Sequence, residues 1–410
     1  AEKMHRYEAD EIIWLNSQKA DDYTKECKVC KHVGKVSEDG LCPLCSKIQK
    51  LSNNVLYSDF FSVVLEGEAD GLPLPGGYLL LADDEKTLSK RMEKDSYFVR
   101  VYAKNQMYTG KHIATKLWVG DYTTGDTFEK FAQKAEGIKR IGVLRADVDN
   151  LGQTFVAGFA GKYATLSRTA ALSRQLSIFF KYYIRSILKN GEYHIDGEKK
   201  LTERNATIVY SGGDDVFIVG AWNEVIELSI DLQEKFKKYT QGTLSISSGI
   251  GIYECTYPIG AIANETGEME AESKRMPEKD SVTFMDDGET HLINELEICD
   301  GTYRWEELYK SVLGEKYDVI QDFLGESDER GMSFLYRMLE LIRNQKEKIN
   351  FARFVYLLSR LEPDKEGEKK EKYRKFSRKM YQWVQSEKDC RELKTAINLY
   401  AYMHREKGAH

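Results

Sequence analysis

The segment Tyr210-Ser211-Gly212-Gly213-Asp214-Asp215 lies between two short apolar runs, ATIVY and VFIVGAW, and reads as a β-hairpin with two adjacent carboxylates at its tip. Both runs are β-branched and aromatic, and the Gly-Gly pair supplies the positive φ angles that a tight turn between strands demands. Glycine also lets a backbone come close to a ligand. Taken alone, GGDD is equally the composition of an ordinary polar turn. A second acidic cluster shifts that balance. IGVLRADVDNLG puts a buried-strand pattern at Ile141 to Leu144 and closes it with Asp147 and Asp149, followed by Asn150 and Gly152. If the two strands are neighbours, Asp147, Asp214 and Asp215 converge, and like charges that close raise one another's pKa. A hard divalent cation, Mg²⁺ or Mn²⁺, resolves the conflict. Mg²⁺ takes one or two carboxylates plus phosphate oxygens and water, which suits an open site for a nucleoside triphosphate.

The surrounding pattern supplies elements able to bring these residues together. From Leu166 to Leu188, apolar residues at Leu172, Leu176, Phe179, Tyr183 and Ile187, with Phe180, Ile184 and Leu188 beside them, mark one face of a long helix that ends at Asn190-Gly191. After the hairpin, Asn223 is expected to cap a second helix with Val225, Leu228, Leu232, Phe236 and Tyr239 facing inward. LSISSGIGIY, from Leu244 to Tyr253, is a further strand. The sum is strand, helix, strand, strand, helix, strand, the βαββαβ arrangement of a ferredoxin-like domain, in which the first strand and the hairpin lie side by side.

RADVDNLG, then YSGGDDVF, then SSGIGIY and a later Lys resemble the palm domain of polymerases and nucleotide cyclases. Diguanylate cyclases carry a similar acidic strand end and a GGDEF hairpin. The resemblance is closer to the large subunit of type III CRISPR effector complexes, particularly the III-A (Csm) kind, whose second palm bears GGDD. A four-cysteine element before the palm and a helical domain after it also match. The resemblance implies an ATP-using nucleotidyltransferase that makes 3′–5′ linked cyclic oligoadenylates once target RNA pairs with the guide, with the other complex subunits, guide RNA and target RNA as partners. It also implies that an HD nuclease and a first palm precede the zinc element; no His-Asp doublet with that role occurs in this chain. In this reading Asp147 and one hairpin carboxylate hold the metal, with the Val148 carbonyl joining. Asp215 is the expected direct ligand and Asp214 a co-ligand or hydroxyl-activating group, while Asp149, at the irregular end of the strand, is expected to face away. Gly212, Gly213 and Asn150 frame the nucleotide, and Ser247 and Ser248 either touch its base or ribose or sit as half-buried strand serines. Lys274, in EAESKR, corresponds to a triphosphate-contacting lysine of the cyclases, against the alternative of a surface helix lysine. Two competing readings are a scaffold subunit that retained the fold and a GGDEF-like diguanylate cyclase relative.

Cys27, Cys30, Cys42 and Cys45 form CKVC and CPLC, two knuckles able to offer four thiolates to one structural Zn²⁺; a redox dithiol is the alternative. Cys255, Cys299 and Cys390 are scattered and read as buried small hydrophobes. His32 and His194 read as surface residues. With 60 basic and 66 acidic residues the net charge is −6, which excludes a global electrostatic pull on nucleic acid and leaves only local RNA contacts. No apolar run reaches membrane-spanning length and no signal peptide precedes the charged start, so a soluble cytoplasmic protein is expected. The first residue is Ala rather than Met, which suggests a fragment. The expected domains are a zinc element and linker at 1–50, a small β-rich domain at 51–138, the palm at 139–295 and a helical domain at 296–410. PDKEGEKKEK, from Pro363, reads as a solvated linker before a helix carrying Tyr373, Phe376, Met380, Trp383 and Val384.

Overall fold

The computed structural model describes residues 26–405 except 56, 66–69, 95–97, 108–113, 126, 198–199, 287, 326–329 and 344–347. The flank of the cysteine element, residues 1–25, lies outside the described residues. The chain is mixed α+β and divides into two compact units, Ala1–Val119 and Gly120–His410. Among the described residues no helix is long and apolar enough to cross a membrane.

The first unit holds the cysteine element, a helix over Pro43–Val55, and a five-stranded sheet. Its strands are β1 (Phe60–Leu65), β2 (Leu72–Leu74), β3 (Tyr78–Asp83), β4 (Phe98–Lys104) and β5 (Thr115–Leu117), in the order β2-β3-β1-β4-β5. Phe60, Val101 and Ala103 pack with Leu88 of the Glu85–Lys94 helix, while Val64, Leu79 and Leu81 form a second small core. Of the runs FSVVL, GGYLLLA and YFVRVYA that supply them, β3 alternates buried Leu79 and Leu81 with more exposed neighbours, whereas β1 buries Phe60, Phe61, Ser62 and Val64 and is covered on both faces.

The second unit is built on a six-stranded sheet in the order β13-β10-β9-β6-β8-β7. Its members are β6 (Ile141–Val148), β7 (Ala206–Ser211), β8 (Asp215–Ala221), β9 (Ile246–Tyr253), β10 (Ser281–Phe284) and β13 (Thr302–Arg304). The remaining pair, β11 (Thr290–Ile293) and β12 (Leu296–Cys299), forms a separate hairpin. β6 is central and antiparallel to both β8 and β9. One sheet face buries Leu144, Ala146, Val148, Val216, Ile218, Ile246 and Ile250 beneath the helix Trp222–Tyr239 and the helical run from Leu166 to Lys189. That run is α-helical over Leu166–Ile178, opens into a π turn over Phe179–Tyr183, and resumes over Ile184–Lys189. Tyr183 stays exposed, so the inward stripe is carried by Leu176, Phe179, Phe180, Ile184, Ile187 and Leu188. A Cβ on Gly142 would come within 2.7 Å of the Trp222 Cα, so glycine there lets the second helix press against β6. On the opposite face, Ile141, Val143, Val219 and Tyr253 pack with Phe131, Ala132 and Ile262, from the helices Phe128–Lys134 and Ile259–Ser273.

Several expectations need revision. Residues 120–138, assigned to the β-rich domain, fold with the six-stranded sheet, because Phe131 and Ala132 share a core with Ile141 and Val143. The C-terminal helices are not separately cored: Leu335, Met338, Phe376, Met380, Leu393 and Ile397 belong to the same continuous cluster as Leu144 and Ile250. Asn223 is not the helix cap. Ala221 holds that position, and the buried Asn223 carbonyl accepts the Glu136 amide at 3.2 Å, so its side chain tethers the segment before β6. The linker expected from Pro363 is shorter, because helix begins at Glu368 with two acidic residues in its first turn, favourable to the helix dipole.

Candidate active site

The register of β6 against β8 pairs Asp147 directly with Asp215, and that of β6 against β9 pairs Asp147 with Ser247. Opposed residues of antiparallel strands share a sheet face with Cα atoms about 4.5–5.5 Å apart. Asp147, Asp215 and Ser247 therefore stand together at one end of the face that also carries Arg145 and Phe217. The Val148 amide donates to the Asp214 carbonyl at 3.2 Å and the Gly212 amide to the Asp215 carbonyl at 2.8 Å, which fastens the hairpin tip to the end of β6. The Gly-Gly pair does not adopt positive φ. At 212 the glycine leaves room for two side-chain tips: a Cβ would overlap Asp215 Oδ1 and lie 2.7 Å from the Tyr210 hydroxyl, both of which would have to shift. A Cβ at Gly213 would make an ordinary contact with Ser177 Oγ, at 3.5 Å.

Crowding is visible in the electrostatics. Burial, then the charges of Asp147 and Asp215, push the Asp214 carboxyl above its ordinary pKa, and the Asp215 charge holds the Tyr210 phenol up. The helix Ile259–Ser273 contributes the rest. Lys274, its C-cap, donates to Asp147 Oδ2 and, at 2.7 Å, to Glu270 Oε1. Burial lowers the Lys274 pKa, but the hydrogen bonds to Asp147 and Glu270 outweigh it and the net shift is upward. The second oxygen of Glu270 meets Arg145 Nε at 2.8 Å. Lys274 is thus no free surface lysine. Glu270 and Arg145 escaped sequence reasoning, although both carry a signal: Glu270 precedes Lys274 by one helical turn, and Arg145 shares a strand face with Asp147.

The other expected residues divide. Ser247 is fully buried on the Asp147 face, and its hydroxyl finds no hydrogen-bond partner among the described residues. Ser248 alternates to the other face and is 1 % exposed, which removes it from contact with a nucleotide on the Asp147 side. Val148 buries its side chain in the core. Asn150 has φ 54° at the start of the Leu151–Ala157 helix, and its Oδ1 accepts from Lys279 at 2.7 Å. Asp149 does turn away, into a buried pocket where Oδ2 accepts from Ser245 Oγ at 2.7 Å and from the Asp280 amide at 3.1 Å. His194 is not a surface residue: it is largely buried, near the Lys200 carbonyl, Thr202 and Glu227, because its loop folds onto the Trp222–Tyr239 helix. His32 is exposed.

Among the described residues, the four cysteines are the one group of three or more metal-ligand atoms lying within 4.8 Å of one another. The Sγ atoms of Cys30 and Cys42 are 3.7 Å apart, close to the edge of a sulfur tetrahedron with Zn–S bonds of about 2.3 Å. The Cys42 amide donates to Cys27 Sγ at 3.3 Å and the Cys45 amide to Cys42 Sγ at 3.4 Å. Such amides favour thiolates, and backbone hydrogen bonds lower the Cys27 pKa to about 6. The donor set fits Zn²⁺ with no position left open. The looser array of Asp147, Asp214 and Asp215, with the unpartnered Ser247 hydroxyl, offers the hard oxygen donors that Mg²⁺ or Mn²⁺ takes. Of the scattered cysteines only Cys390 is buried; Cys255 and Cys299 are intermediate.

Residues 140–283 match the family described as Cas10/Cmr2, second palm domain, and residues 321–406 match the second helical domain of the Cmr2 subunit of the CRISPR RNA silencing complex. Over 99 % of its length the chain is 39 % identical to the CRISPR system single-strand-specific deoxyribonuclease Cas10/Csm1 (subtype III-A) of Mycobacterium tuberculosis. The chain belongs to the Cas10/Csm1 family. The Cas10/Csm1 protein of Enterococcus italicus is 36 % identical over 98 % of the chain. The chain spans about half the length of these curated relatives, 50 % and 49 % respectively. In fold it resembles the crystal structure of Csm1 in T. onnurineus, with a TM-score of 0.67 at 22 % identity over 87 % of this chain and 50 % of that one. It also resembles a Csm1-Csm4 cassette solved in complex with one ATP, with a TM-score of 0.62 at 23 % identity over 86 % of this chain and 50 % of that one. A cassette solved with cA4 gives a TM-score of 0.64 at 21 % identity over 85 % and 49 %.

Proposed function

We propose that this chain carries the nucleotidyl-transfer palm of a type III-A CRISPR effector complex and helps to convert ATP into cyclic oligoadenylate when target RNA pairs with the guide. The observation that carries the reading is the register that sets Asp147 opposite Asp215 at an open strand end, with Asp214 fastened beside them. The relatives' cassettes solved with ATP and with cA4 support ATP as substrate and Csm4 as one partner. The βαββαβ run with its β9-β6-β8-β7 order and antiparallel neighbours supports a ferredoxin-like core for this palm. The cysteine element is read as a structural Zn²⁺ site.

In the proposed reaction the 3′-oxygen of one adenosine bonds to the α-phosphorus of an ATP, the bond from that phosphorus to the β-phosphate bridge breaks, and pyrophosphate leaves. Bound Mg²⁺ or Mn²⁺ would supply neutralisation of the charge developing on the phosphoryl oxygens. Asp147 and Asp215, opposed across the strands, are its proposed ligands. Asp214, the third carboxylate of the cluster, is the proposed co-ligand or acceptor of the hydroxyl proton. The Lys274 ammonium stands within the same cluster.

The test is the complete assembly incubated with ATP, Mg²⁺ and target RNA. Oligoadenylate should form and should fall at least about a hundredfold with Asp214→Ala plus Asp215→Ala, the scale expected when charge stabilisation is removed. No product from the intact assembly would reject the reading in favour of a scaffold. Product from GTP without RNA would favour a diguanylate cyclase relative.

A further inference from the structure

We propose that Lys274 is a built-in stand-in for the divalent cation, and that Glu270 is the positioning residue that lets it leave Asp147 when metal binds. The proposal rests on the reading of Asp147, Asp214 and Asp215 as a metal site, and concerns how that site is held when no metal is present. The Lys274 ammonium sits on Asp147 Oδ2, an oxygen a metal would need. An ammonium there relieves repulsion among three neighbouring carboxylates, as a cation must. It also competes with the metal for that oxygen.

What distinguishes this pairing from an incidental ion pair is the fixed third member. The Glu270 side chain is 11 % exposed and is held through its other oxygen by Arg145 Nε at 2.8 Å, while the Lys274 and Asp147 side chains are about a quarter exposed, at 26 % and 25 %. The two partly exposed partners have room to separate, while the more buried Glu270 is held by Arg145. A Lys274 displaced from Asp147 keeps its 2.7 Å hydrogen bond to Glu270, so it is not left half-desolvated and unpaired. Without Glu270 the ammonium would have Asp147 as its remaining partner in the triad and would hold it more tightly. Glu270 should therefore strengthen metal binding without touching the metal.

The experiment is a Mn²⁺ titration of the full chain without nucleotide, reading free Mn²⁺ by electron paramagnetic resonance. The variants are D147N, E270Q, K274M, E270Q/K274M and E272Q, the last removing an equal charge from the same helix at a residue paired with Arg275 rather than Lys274. Wild type should show a site that D147N abolishes. E270Q should weaken Mn²⁺ binding about tenfold and E272Q less than twofold. K274M should tighten it several-fold, and in the K274M background E270Q should change it less than twofold, because there is no ammonium left to hold. A simple loss of local negative charge predicts instead that E270Q weakens binding equally in both backgrounds, and that additive result would overturn the proposal while leaving the metal site standing. If E270Q does not fold, K274M decides alone: unchanged or weaker Mn²⁺ binding overturns the stand-in role. A wild-type chain with no site sensitive to D147N would overturn the site reading itself, and this proposal with it.

Discussion

Each side chain at the hairpin tip has a neighbour that fixes what it can do. Gly212 is the sharpest case, since its hydrogen occupies the space beside Asp215 Oδ1 and the Tyr210 hydroxyl. Gly212→Ala should push Asp215 off its place opposite Asp147. We expect at least a tenfold fall in oligoadenylate formation by the assembled complex, with an unfolding free energy within about 1 kcal/mol of wild type because the tip lies outside the core. Gly213→Ala, whose Cβ would meet Ser177 Oγ at an ordinary 3.5 Å, should leave stability to urea unfolding unchanged. The sequence announced both glycines, but the positive φ expected of them is not adopted. Composition reports that a turn needs glycine; whether the need is for backbone angle or for room depends on which side chains fold back over it.

Among the elements, the Trp222–Tyr239 helix does more than cover the sheet. Arg204 is 1 % exposed and reaches across to it, pairing with Glu227 and, at 2.9 Å, with Asp231. Those acids also accept the amides of Ile195 at 3.0 Å, Glu192 at 3.1 Å and Tyr193 at 2.9 Å. The helix thereby clamps the connection from the end of the Leu166–Lys189 run to β7, which feeds the GGDD tip. Removing one partner of a buried ion pair strands the other, so Arg204→Met should cost about 3–5 kcal/mol by denaturant unfolding. A cost below about 1 kcal/mol would show that the acids find water or protons instead. The helix itself was legible from its 3.6-residue period. The clamp was not, because Arg204, Glu227 and Asp231 have no spacing that marks them before the chain is folded.

For the whole second unit, the joint between palm and C-terminal helices rests partly on charge. Asp300, after β12, accepts from Lys394 of the Glu387–His404 helix at 2.6 Å and faces His291 Nδ1 at 3.2 Å. Burial acts to raise its pKa, but the hydrogen bonds from His291 and Lys394 win and bring it from 3.8 to about 2. A carboxyl depressed in the folded state stabilises it above the unfolded pKa, and that contribution is lost as pH falls from about 4 through about 2. Urea unfolding should therefore find wild type more stable than Asp300→Asn at pH 6, with the gap closing toward pH 2; a gap independent of pH would deny Asp300 the role. By itself the sequence determined the strands and helices, the cysteine knuckles and the acidic residues, since period, turn composition and ligand type are local properties of a chain. Tertiary structure alone decided that Asp147 faces Asp215, that Ser248 turns away, that Lys274 rests between Asp147 and Glu270, and that helices and palm share one core. Those depend on strand register and on the packing of segments far apart in sequence, and no short-range pattern encodes which distant partner an element will meet.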